Sequence, residues 1–180
     1  ISDEEKNQVS KSMVVIAFYC LKCLIQLFSP TYILPSKYHY NIGKSLYLAT
    51  KGKEMEDKML LFIADQLKHC IANMEDECPE LRIDIANLYY LAGMKAVGYS
   101  DYATSCSYFK VALSLLPTDC WETQHKLCYR ISLRLAKSVY SLGDVEEAQS
   151  ILLEMLEKCL SIEDRVPVQA LLVTSEYYQY

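Results

Sequence analysis

Two stretches of this chain carry the same punctuation 43 residues apart, and that recurrence limits the folds open to it more than any other feature. The first reads Ala92-Gly93, Ser100-Asp101-Tyr102, Ser105, Phe109, Ala112 and Pro117. The second reads Leu135-Ala136, Gly143-Asp144-Val145, Ala148, Leu152 and Met155. Ser105 aligns with Ala148, and each stretch has the pattern of a helix, a tight turn and a second helix. Such self-similarity marks a repeat architecture, in which one helix pair cannot bury its own apolar face and stacking is obligatory. Ser105 and Ala148 stand where the helices of a pair cross closely, and Gly93 and Ala136 are the matching small positions on the facing helix. Bulk inserted at such a crossing costs about 1–3 kcal/mol.

Composition agrees with an all-α body. A hydrophobic share of 52% in 180 residues excludes intrinsic disorder, and 5 Gly with 5 Pro are too few for a turn-rich β sandwich. The net charge of −5 gives no electrostatic reason to approach nucleic acid or anionic lipid. Eight cysteines lie within apolar helical stripes, where a free thiol behaves as a small hydrophobe, so a reducing compartment, the cytoplasm, is expected rather than a disulfide framework. The last residues, Tyr177-Tyr178-Gln179-Tyr180, continue an apolar pattern with no helix stop, which reads as a fragment running past residue 180.

Residues 1–35 form a first region, an apolar helix from Met13 to Phe28 followed by a linker, stopped at Ser29-Pro30. Its apolar run of about 16 residues, broken by Lys22, is shorter than the roughly 20 needed for a membrane span. Residues 36–180 form the helical repeats. A second helix is expected over Ser36 to Thr50 and a third over Glu54 to Met74. A fourth starts at Pro79, carries Leu81, Ile85, Leu88, Ala92 and Ala96 on one face, and ends at Gly98. Ser100 caps a fifth helix with the stripe Tyr102, Ser105, Cys106, Phe109, Ala112, Leu113 and Leu116. Asp119 and Glu122 have the spacing of a capping box for a long sixth helix bearing Trp121, Cys128, Ile131, Leu135, Val139 and Leu142. Leu127, Leu133 and Tyr140 lie off that stripe, as on an inner helix with neighbours on both sides. Gly143 supplies a left-handed turn, Asp144 and Glu147 start a seventh helix, and an eighth begins near Asp164 with Pro167 in its first turn.

No catalytic constellation is legible. Gly43-Lys44-Ser45 resembles the end of a phosphate-binding loop, but the loop's first glycine is replaced by Tyr38 and no hydrophobic strand precedes it. Gly43 is more simply a close-packing residue. Cys20, Cys23, His69 and Cys70 are the residues of an alternative reading, a small metal- or thiol-dependent helical enzyme, although no complete zinc ligand set is present. His39, His69 and His125 are each isolated from any nucleophile motif. Carboxylates gather at Asp3 to Glu5, Glu54 to Asp57, Glu75 to Glu80 and Glu146 to Glu147, where they complement helix dipoles. A third reading anchors the chain to a membrane through residues 13–28.

The ordered set His39-Tyr40-Asn41-Ile42-Gly43, Ile63-Ala64-Asp65-Gln66-Leu67, Leu88 through Ala96, Tyr102, Phe109, Leu115-Leu116, Trp121 and Tyr140 through Asp144 resembles the helical repeat region of large multidomain signalling ATPases. In those proteins an AAA- or STAND-type nucleotide-binding module is fused to protein kinase or sensor histidine kinase modules. The resemblance covers about three quarters of the chain, from Tyr38 to Tyr178, and implies that ATP-binding and kinase residues lie outside it. Together with the 43-residue period, close to the longer helical repeats of about 40–47 residues, it implies a tetratricopeptide-like right-handed α-solenoid of about eight helices. The expected function is a non-catalytic scaffold, sensor or relay with no cofactor of its own. Its partner, a peptide or a neighbouring domain, would lie in the groove of the first helices, against Asn87, Tyr90 and Met94 from one unit and Arg130, Lys137 and Tyr140 from the next.

Overall fold

The structure is a computed structural model that describes residues 36–53, 55–68, 71–74 and 77–177, with Cys20 as an isolated position. Among the described residues there are eight α-helices, one short 3-10 turn and no strand. The expected helix over residues 13–28 lies outside them, save for Cys20. The chain divides into two compact units, residues 1–75 and residues 76–180.

In the first unit α1 (Ser36–Thr50) and α2 (Asp57–Lys68) pack on each other, and a 3-10 turn follows at Ile71–Met74. The single third helix expected over residues 54–74 is therefore shorter, a helix followed by a separate turn. Tyr40, Gly43, Leu46, Tyr47 and Thr50 recur at helical spacing on the buried face of α1 and meet Met59, Leu60, Ile63, Ala64 and Leu67 of α2. Gly43 is what lets the helices close. A Cβ there would stand 2.8 Å from Leu67 Cγ and 3.2 Å from Gln66 Cβ. His39 Nδ1 and Gln66 Oε1 lie 2.7 Å apart along the same seam. The buried Thr50 hydroxyl donates to the Leu46 carbonyl at 2.8 Å, which removes the cost of burying it.

The second unit contains α3 (Pro79–Gly98), α4 (Tyr102–Leu115), the single-turn α5 (Cys120–Thr123), α6 (His125–Ser141), α7 (Val145–Lys158) and α8 (Ile162–Tyr177). Packing runs from α3 to α4, α4 to α6, α6 to α7 and α7 to α8, and α6 also touches α3 and α8. Pro79 opens α3 at a position where its missing N–H costs nothing. Phe109 and Leu152, equivalent across the 43-residue offset, are both wholly buried. Around Leu152 gather Ala136, Met155 and Val168, with Trp121, Tyr129, Leu133 and Ile151 against their edge.

The offset holds bond for bond at the turns. After α3 the Tyr99 N–H donates to Lys95 and Ala96 carbonyls, Ser100 to Val97, Asp101 to Ala96, and Ser105 to Asp101. After α6 the Leu142 N–H donates to Ser138 and Val139, Gly143 to Tyr140, Asp144 to Val139, and Ala148 to Asp144. Asp101 Oδ1 accepts from the Thr104 N–H at 3.0 Å, and Asp144 Oδ1 accepts from the Glu147 N–H at 3.0 Å. Ser100 is thus not the N-cap of α4. It occupies the left-handed position with φ 60°, as Gly143 does with φ 88°, and the cap is Asp101. Gly98 ends α3 as expected, but as its last helical residue and not in a left-handed cap.

Two further expectations give way. The long sixth helix is broken: Asp119, with φ −92° and ψ 23°, makes no side-chain cap, and Gln124 leaves the helical well at φ −130° between α5 and α6. The eighth helix starts at Ile162, where Ser161 Oγ accepts from the Asp164 N–H at 3.1 Å, so Pro167 lies beyond its first turn.

Gly93 is a close approach between α3 and α4, since a Cβ there would fall 2.4 Å from Phe109 Cε1. Ser105 makes a different approach: wholly buried, its hydroxyl meets the Tyr102 carbonyl at 2.8 Å and Ser138 Oγ of α6 at 3.0 Å. Gly93→Ala is expected to cost about 1–3 kcal/mol through overpacking against a wholly buried ring. Gly98→Ala meets open space and is expected to stabilise by about 0.5–1 kcal/mol. Urea unfolding of the two variants beside the parent chain reads both signs. Ser100→Gly is expected to stabilise as well, by about 1 kcal/mol, because a side chain in the left-handed region is strained.

Candidate functional site

The six groove residues named from the sequence fall on α3 and α6. Asn87, Arg130 and Lys137 are exposed, Met94 and Tyr140 are half-buried, and Tyr90 is only 6% exposed. The structure brings two of them together. The Arg130 guanidinium carbon sits 4.5 Å from the centroid of the Tyr90 ring, a cation–π contact between α3 and α6. Behind it, Tyr90 leans on Phe109 with ring centroids 6.2 Å apart. Tyr90 is therefore a floor that positions Arg130, whereas the other four stand separately along the two helices.

Sequence reading missed a cavity beside the start of α6. It has a volume of about 460 Å³ and is lined by His125, Lys126, Tyr129, Arg130, Leu160 and Asp164. The break at Gln124 makes His125 the first residue of α6 and turns its ring toward neighbours on either side. That ring meets Trp121 edge-on at 5.7 Å and stacks on Tyr129 at 6.2 Å. Tyr129 donates its hydroxyl proton to the Asp164 carbonyl at 2.8 Å, pinning α8 to α6. Burial, with the nearby Cys159 and Asp164, raises the Tyr129 phenol above its ordinary value. His125 Nε2 lies 3.9 Å from Asp164 Oδ2, within ion-pair range, yet it is buried and makes no hydrogen bond. The only sequence signal for this cavity was the run of Lys126, Tyr129 and Arg130 on one side of a helix.

Three thiols of this unit are held in the neutral form. Burial raises Cys106, Cys128 and Cys159 above the usual thiol range, and Cys120, whose Sγ lies 2.9 Å from Cys128 Sγ, pushes Cys128 further the same way. Among the described residues no three His, Cys, Asp or Glu side chains gather as a metal site. Cys23, His69 and Cys70 of the alternative enzyme reading lie outside the described residues, and Cys20 is exposed. Likewise no described helix is long and apolar enough to cross a membrane. Gly43 and Lys44 sit within the body of α1, and Lys44 Nζ lies 5.6 Å from the Tyr40 ring centroid.

Because the thiolate is the reactive form, exposed Cys78 is expected to alkylate at pH 8 at least roughly tenfold faster than Cys128. Timed iodoacetamide labelling with peptide mass mapping measures the ratio, and equal rates would show that the Cys128 thiol is neither buried nor held neutral. Comparison with known proteins finds no family model that matches this chain, and no match among curated proteins or solved structures.

Proposed function

We propose that residues 76–177 are a non-catalytic binding scaffold, a tetratricopeptide-like right-handed stack that holds a peptide or a neighbouring domain. Its setting is a multidomain signalling ATPase or kinase, and its role is to sense or relay between that protein's modules. The observation that carries the binding reading is the 43-residue repetition of turn, cap and buried slot, which leaves the exposed faces of α3 and α6 side by side. Repetition of this kind builds an extended surface out of equivalent positions and asks nothing of catalytic chemistry. α8 adds support. It exposes Ile162 at 80%, Val166 at 56% and Val173 at 53%, apolar positions at helical spacing of the type a stacked neighbour covers.

The setting in a signalling ATPase rests on the sequence resemblance alone. The binding reading is tested with the complete chain on an array of immobilised 12-residue peptides of mixed composition. The expected result is retention on a subset, reduced at least tenfold by Asn87→Ala combined with Met94→Asp, with an unchanged helical circular dichroism spectrum. Retention on no peptide, or retention indifferent to the substitutions, would overturn it.

A further inference from the structure

α6 carries Lys126, Arg130, Arg134 and Lys137 and no Asp or Glu. At 100° per residue these four fall within a sector of about 80° and extend over about 16 Å of helix. Lys126, Arg130 and Lys137 are exposed and Arg134 is half-buried. None of the four is paired with a carboxylate among the described residues, in contrast to Lys110, which binds Glu147 at 2.8 Å. Like charges one turn apart repel, so the row works against helix stability, and apart from the contact of Arg130 with the Tyr90 ring no interaction among the described residues offsets it. It is also out of keeping with the chain, whose net charge is −5.

We propose that this face of α6 recognises an acidic peptide segment, with the cavity at its N-terminal end receiving an apolar side chain of that peptide. The proposal rests on the groove reading above and names the chemistry of the occupant. Three observations carry it. Lys126, Arg130 and Arg134, four residues apart, recur about every 6 Å, while alternate side chains of an extended peptide recur about every 6.6–6.8 Å, so acidic residues at every second position meet these three nearly in register, and Lys137, about 4.5 Å further on, is reached by the flexibility of its long side chain. Arg130 is already held in place by the Tyr90 ring, which reduces the side-chain ordering that binding must overcome. Lys126 and Arg130 stand on the rim of the cavity, whose walls include Tyr129 and Leu160, so a charged stretch and an apolar pocket are continuous. Asp164 is the acidic member of that lining, and it faces His125 at 3.9 Å. A long polyanion such as nucleic acid is disfavoured by the overall negative charge, whereas a short acidic segment engages the row within a Debye length of about 8 Å.

The test is fluorescence anisotropy on the complete chain with a labelled peptide bearing one Leu followed by four Glu at alternate positions. Its counterpart with Gln in place of Glu, and a DNA oligonucleotide of equal charge, serve as the other probes. The expected result is binding of the Glu peptide that is at least tenfold tighter than that of the Gln peptide and weakens as salt rises. Arg134→Glu with Lys137→Glu abolishes that advantage, while Lys158→Glu, the same kind of charge change on α7, leaves it intact. A folded double variant, shown by an unchanged circular dichroism spectrum and melting transition, keeps the comparison valid, and single Lys137→Gln provides a milder version. Equal binding of the Glu and Gln peptides overturns the acidic specificity but leaves the groove reading standing. Binding of neither overturns this inference, with the peptide array still deciding the groove reading separately. DNA bound as tightly as the Glu peptide overturns the choice of a peptide as occupant.

Discussion

A phenyl ring packed against a residue with no side chain is the contact on which the second unit depends. Phe109 is wholly buried because Gly93 leaves room for it, and the resulting closeness of α3 and α4 sets where both helices present their remaining faces. α6 then has to shield apolar surface on both sides. Its neighbours include α3 and α4 toward one end of the unit and α7 and α8 toward the other. Its charged residues, Lys126, Arg130, Arg134 and Lys137, are left to a narrow outward strip. Burial on several sides is thus what concentrates the exposed chemistry of α6 into a single row.

Much of this architecture is written in the sequence because helix punctuation is local chemistry. An Asp three residues before a free N–H, a residue able to adopt positive φ ahead of it, and a small residue at a crossing are readable without knowing the fold. That is why α1, α4 and α7 lie where the pattern puts them, and why Phe109 and Leu152 occupy equivalent slots. Ser100 shows the limit of such reading. Serine is a common cap, and glycine is the usual left-handed residue, yet the chain places Ser100 in the left-handed position and keeps Gly98 in the helix. The aligned second repeat, with Gly143 and Asp144, held the correct answer. The break at Gln124 was not legible, since neither Pro nor Gly marks it.

The candidate site was less visible for a different reason. Which residues share a helix face follows from spacing, but which of them is covered depends on what packs above. Tyr90 has the look of an exposed aromatic anchor and is in fact nearly buried beneath Arg130. Leu160 and Asp164 join Lys126 in one cavity only because Tyr129 ties α8 to α6, an arrangement fixed by residues 35 apart in sequence. Long-range neighbours of this sort are set by tertiary packing rather than by any local signal.

The hydroxyl pair formed by Ser105 and Ser138 has a consequence for alignment. Both groups are almost entirely shut off from water, and each finds the other at 3.0 Å across a boundary between successive helix pairs. Ser105 keeps its bond to the Tyr102 carbonyl of its own helix whatever the alignment, but sliding one helix along the other by a turn would strand the Ser138 hydroxyl in an oily seam, a penalty that comes on top of any loss of apolar fit. A pair of serines thereby acts as a key between consecutive units, choosing one alignment among several that greasy surfaces alone would tolerate.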